Sequence, residues 1–94
     1  MKDGEHIEYY GSGEIECKYN YLDGKIHGES IIYFKSGEVE SKINYLDGKR
    51  NGESIYYFIS GEIYSKYYHI DGEFVSELGW ICYNRNLKFE LLGL

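Results

Sequence analysis

The stretch YLDGKIHGESIIYFKSGE at residues 21–38 returns almost unchanged as YLDGKRNGESIYYFISGE at residues 45–62. Working outward, Ser-Gly-Glu recurs at Ser12, Ser36 and Ser60, and Asp-Gly recurs at Asp23, Asp47 and Asp71, each time 24 residues on. The same step links Gly4, Gly28 and Gly52, then Glu5, Glu29, Glu53 and Glu77. A fixed period of this size marks a repeat architecture in which each copy buries its apolar surface against its neighbours.

Asp-Gly is a strong two-residue hairpin signal, because a type I′ turn needs positive φ at both central positions. Ser-Gly is a weaker form of the same signal. Two-residue loops at both places predict strands over approximately 14–22, 25–35, 38–46, 49–59, 62–70 and 73–83, flanked by 5–10 and 87–92. The expectation is an all-β antiparallel hairpin meander of about eight strands in one curved, twisted sheet, with a closed barrel as the alternative. Within residues 1–94, 4–10 form a partial repeat, 11–34, 35–58 and 59–83 full repeats, and 84–94 a C-terminal capping strand. Composition agrees, since 12 Tyr, 12 Gly and no Pro suit strands and tight turns better than helices.

In that register the Asp-Gly hairpins set Lys18 opposite Glu29, Lys42 opposite Glu53 and Lys66 opposite Glu77, three opposite-charge pairs at equivalent positions. Tyr19 falls opposite Gly28 and Ile43 opposite Gly52, where the larger side chain covers bare backbone. The Ser-Gly hairpins set Phe34 opposite Val39 and Phe58 opposite Ile63. Around Asn84-Arg85 the pairs become Cys82 with Leu87, Trp80 with Phe89 and Leu78 with Leu91.

The charge arithmetic narrows function. Ten basic against 16 acidic residues leave a net charge of −6, which opposes nucleic-acid and anionic-lipid surfaces. The N-terminal residues carry no apolar signal segment, and the expectation is a cytoplasmic protein. Carboxylates that recur with a Lys opposite are structural pairs rather than a glycosidase dyad. His6, His27 and His69 occupy three different repeat positions, and each turn Asp stands alone, so no metal site is expected. No nucleophile with a base and no cofactor fingerprint is legible, so the chain reads as a non-enzyme without a cofactor. Cys17 and Cys82 fall on strands far apart in an open sheet, which excludes a disulfide unless a barrel closes.

The repeated unit, an aromatic, an Asp-Gly-Lys turn, a Gly, an aromatic-ended strand and a second Gly turn, resembles the bacterial variant of the MORN repeat over residues 4–83. The resemblance implies a non-catalytic module. Bacterial proteins of this kind are described as YwqK-like antitoxins, and eukaryotic arrays are associated with membrane-lipid or protein scaffolding.

The polar face carries an anomaly. Ile7, Ile31 and Ile55 form one row and Tyr9, Tyr33, Tyr57 and Ile81 a second, a stripe that a solvated face does not require. The candidate partner-binding residues are therefore Ile7, Tyr9, Ile31, Tyr33, Ile55 and Tyr57. The expected partner is another protein. An antitoxin or immunity-like role against a basic toxin is the alternative, a lipid surface the lesser one, and cover by a homodimer mate the structural reading of the same stripe.

Overall fold

The computed structural model describes residues 3–91, the last six as backbone alone. Eight strands and one helix follow in order: β1 Gly4–Tyr9, β2 Ile15–Leu22, β3 Lys25–Ile26, β4 Gly28–Tyr33, β5 Val39–Leu46, β6 Lys49–Tyr57, β7 Ile63–Ile70, β8 Glu73–Val75 and α1 Glu77–Leu91. The strands make one antiparallel sheet in the order β1, β2, β4, β5, β6, β7, β8, with β3 also on β2. The fold is mostly β, as the repeat predicts. The sheet stays open instead of closing into a barrel, and it does not curl onto itself.

The Asp-Gly turns form as expected. Asp23, Asp47 and Asp71 take φ values of 52°, 51° and 52°, and the glycines that follow take 77°, 83° and 87°, the left-handed pair of a type I′ turn. Successive turns stack. The Gly48 amide donates to the Ile26 carbonyl at 2.9 Å and the Gly72 amide to the Arg50 carbonyl at 2.8 Å, while Lys49 Nζ lies 3.7 Å from Asp71 Oδ1.

The Ser-Gly turns are one residue longer than expected. In all three the glycine amide donates to the carbonyl three residues back, Gly13 to Tyr10, Gly37 to Phe34 and Gly61 to Phe58, each at 2.9 Å. Those glycines have φ near +100°, as a three-residue hairpin loop requires. A bulge follows each loop, so Tyr33, not Phe34, faces Val39, and Tyr57, not Phe58, faces Ile63.

A second irregularity changes the register of the Asp-Gly hairpins. Tyr21 faces Ile26 as expected, but beyond His27 the pairing slips by two, so that Lys18 faces Ile31 and Lys42 faces Ile55 rather than Glu29 and Glu53. The cause lies in Gly28 and Gly52, whose φ of +82° and +102° lets two extra residues loop out on that strand. Asn44 closes the gap, its Nδ2 donating to the Glu53 carbonyl at 3.0 Å. The residues opposite these glycines also differ from expectation: Tyr45, not Tyr19, faces Gly28, and His69, not Ile43, faces Gly52, and the side chain that reaches over Gly52 is Trp80. Lys42 and Glu53 still project from the same side, because a slip of two preserves the face.

The C-terminal cap is a helix and not a strand. The repeat stops at Val75. Ser76 then caps α1, its Oγ accepting from the Gly79 amide at 3.1 Å while its carbonyl accepts from the Trp80 amide at 3.0 Å. The predicted strand to 83 therefore ends at 75, Lys66 faces Ile55 and not Glu77, and the hairpin about Asn84-Arg85 does not form. Trp80 stacks on Tyr68 with ring centres 6.0 Å apart and reaches over Gly52. Tyr68 is thereby buried, with Ile43 one of the two buried large hydrophobics among the described residues.

Candidate interaction face

A single-layer sheet has two faces, and alternation sorts the side chains between them. One face carries an unbroken ladder. Ile7 faces Lys18, Lys18 faces Ile31, Ile31 faces Lys42, Lys42 faces Ile55 and Ile55 faces Lys66, one residue from each of six neighbouring strands. Lys18 and Lys42 each stand between two isoleucines and Lys66 beside one, a setting in which a lysine can bury its alkyl stem and keep its ammonium in water. Lysines recur on every second strand, about 10 Å apart.

Beside this ladder runs an aromatic and aliphatic row: Tyr9 faces Ile15, Tyr33 faces Val39 and Tyr57 faces Ile63. Lys18 Nζ stands 5.9 Å above the Tyr33 ring centre, a cation–π contact joining the two rows. On the other flank lie Glu5, Glu29 and Glu53, facing Asn20, Asn44 and Tyr68. Ile7 and Tyr9 are exposed, whereas Ile31, Tyr33, Ile55 and Tyr57 are half-buried. The structure thus brings the six candidate residues onto one face. Ile81 does not join them, because it lies exposed on α1. Trp80 lies over the face at Tyr68 and Gly52.

The sequence reading missed the lysines of this face. Their 24-residue spacing is visible in the sequence, but a hairpin register two residues off sets them opposite glutamates.

The opposite face is small at its centre. Ser41, Ile43 and Ser54 are buried there, and a hollow of about 300 Å³ beside them is lined by Glu8, Cys17, Tyr19, Tyr21, Ile32 and Tyr45. Glu8 accepts from the Tyr19 hydroxyl at 2.9 Å and from Cys17 Sγ at 3.4 Å. The bond to Glu8, with some burial, pushes the Tyr19 hydroxyl up to about 12. Burial, reinforced by Glu8, pushes the Cys17 thiol up to about 11. Cys17 is therefore held as a thiol, the opposite of what a nucleophile needs. Cys17 and Cys82 are both free.

Elsewhere polar groups serve the turns. The Ser12 hydroxyl donates to the Glu14 carboxylate, which lowers the Glu14 pKa, and Ser36 does the same for Glu38. Burial, then Arg50, holds the His69 imidazole below its usual range. Among the described residues no group of three His, Cys, Asp or Glu is placed to hold a metal ion, and no helix is long and apolar enough to cross a membrane. No protein family, curated protein or solved structure matches the chain.

Proposed function

We propose that this chain is a non-catalytic, MORN-like repeat module that binds another protein through the Ile/Lys/Tyr face. The observation that carries the reading is the ladder itself: isoleucine and lysine alternate across six strands beside a tyrosine row, with Trp80 at Tyr68 and Gly52 toward one end of the same face. Tyrosine offers rigid contact area at low entropic cost, and evenly spaced ammonium groups add charge selection at the rim. Tyr33 and Tyr57 form the centre of the contact, supported by Ile31 and Ile55, with Ile7 and Tyr9 extending it.

The test is the double substitution Tyr33→Glu with Tyr57→Glu, used as bait in lysate of the native cell beside the unaltered chain. The unaltered chain should retain a protein that the double variant loses, with the circular dichroism of both the same. Equal retention by both would place the contact elsewhere. The −6 net charge favours a basic protein as the captured partner, which is also what an antitoxin-like role against a basic toxin requires.

A further inference from the structure

The sheet has two open edges, and the repeat makes them fit each other. β7 pairs with β6 from Ile63 to His69 but with β8 only at Tyr68, His69 and Ile70. At Ser76 the chain turns into α1, whose Trp80 stacks on Tyr68, and among the described residues no strand pairs with the outer edge of residues 63–67, where Ile63, Tyr64 and Tyr67 are exposed. At the far end β1 pairs with β2, and among the described residues nothing lies on its other side.

The direction of the amides follows from the turns. Ile70 and Glu73 close a two-residue loop and exchange hydrogen bonds, so alternation points the amide and carbonyl of Lys66 to that same outer side. In β1 the Tyr10 amide, one residue beyond the strand, donates to Glu14 on the β2 side. By the same alternation, Ile7 points its amide and carbonyl away from β2.

Within the chain, the strand after each Asp-Gly hairpin meets its neighbour in one fixed register. Lys18 faces Ile31 and Lys42 faces Ile55, 13 residues apart in each case. The third lysine, Lys66, would face position 79 in a fourth repeat, and that position is inside α1. Its equivalent three repeats earlier is Ile7.

We propose that β1 of a second copy adds to the outer edge of β7, with Ile7 opposite Lys66, Glu8 opposite Ser65 and His6 opposite Tyr67, so that the ladder runs unbroken from one molecule into the next. Exposure supports this occupant. Ile43 of β5 is buried, whereas its equivalent on β7, Tyr67, is 44% exposed; Ser41 is buried and its equivalent Ser65 half-buried. Likewise Tyr10 and Phe34 are half-buried, Tyr10 through its hydroxyl bond to the Tyr33 carbonyl of the next hairpin, while Phe58 is 50% exposed with no next hairpin to meet. Charge is complementary as well. β1 carries Glu5 and Glu8 and no Lys or Arg, and β7 carries Lys66 and no Asp or Glu. The contact uses an edge and not the face proposed above for another protein, so either can fail alone.

A head-to-tail contact of this kind does not close after one junction. Sedimentation of the unaltered full chain over a concentration series should therefore show mass growing past two copies. Lys66→Pro and Ile7→Pro each remove an outward amide while sparing the bonds to β6 and β2, and each variant alone should stay monomeric. Mixed together, the two should form a one-to-one dimer and stop, because one intact β1 edge and one intact β7 edge remain. Hydrogen exchange on the unaltered chain supplies a readout that needs no variant: the Ile7 and Lys66 amides should gain protection together as concentration rises. A chain that stays monomeric throughout, one that stops at two copies, assembly indifferent to Lys66→Pro, or exchange at Ile7 and Lys66 independent of concentration would each overturn the proposal.

Discussion

Replacing Lys42 separates the ladder from an ion-pair account of the same lysine. Its neighbours across the two adjoining strands are Ile31 and Ile55, and it is half-buried, so its stem and not its charge should carry its contribution. Truncation to Ala deletes three methylenes. At ~0.8 kcal/mol for each fully buried CH2 and about half burial, the cost is roughly 1 kcal/mol. Lys42→Met keeps the length and drops the charge, and its cost should stay below about 0.5 kcal/mol. Were Lys42 paired with Glu53, Met and Ala would both lose the pair, at about 0.2–1 kcal/mol each. Urea unfolding followed by far-ultraviolet circular dichroism resolves such differences, and 1 kcal/mol should also lower the melting temperature of a domain this size by about 4–8 °C. A double-mutant cycle completes the assay: Lys42→Ala with Ile55→Ala should couple by at least ~0.5 kcal/mol, and Lys42→Ala with Glu53→Ala should add within ~0.3 kcal/mol. Equal costs for Met and Ala, or strong coupling to Glu53, would refute the ladder.

Two further outcomes follow from the same geometry. Gly52→Ala should cost about 1–3 kcal/mol through backbone strain alone. Gly52 sits at φ +102°, while the new methyl would meet Asn44 Cβ at 3.6 Å and Trp80 Cη2 at 3.8 Å, ordinary contacts. Its unfolding midpoint should therefore fall with the emission of Trp80, the one tryptophan of the chain, unchanged; a red shift would mean that packing had been disturbed instead. His69 adds a pH dependence. Its folded pKa lies below the ordinary value because of burial and then Arg50, so below about pH 6.5 the unfolded chain binds a proton that the folded chain resists. Stability should fall as pH drops through that window, above the range where carboxylates titrate, and His69→Gln should flatten the slope. A slope the same in both proteins would remove His69 as its cause.

What was legible in the sequence was whatever a local backbone constraint writes into residue type. Asp-Gly demands positive φ twice over, and all three Asp-Gly turns stand where the pair occurs. The slip at Gly28 and Gly52 was not legible in the same way, because a glycine at positive φ inside a strand and a glycine under an aromatic ring leave the same letter. Alternation could not expose the error either: a shift of one residue would have moved every apolar side chain to the wrong face, but a shift of two leaves each on its proper face. The lysine–glutamate pairs therefore looked self-consistent while being displaced. The helix was hidden for a different reason. The repeat frame was extended past its last copy, although Ser76 and Glu77 open a helix in the usual way, apolar residues 80, 83, 87 and 91 follow at helical spacing, and Asn84-Arg85 lacks the glycine of every earlier turn. Both errors bear on the candidate face. The slip concealed the lysines between its isoleucines, and the helix displaced the fourth strand that would have covered β7. The six candidate residues were recoverable because membership of a face depends only on parity. Their neighbours were not, because neighbours depend on the count of residues looped out between turn and strand.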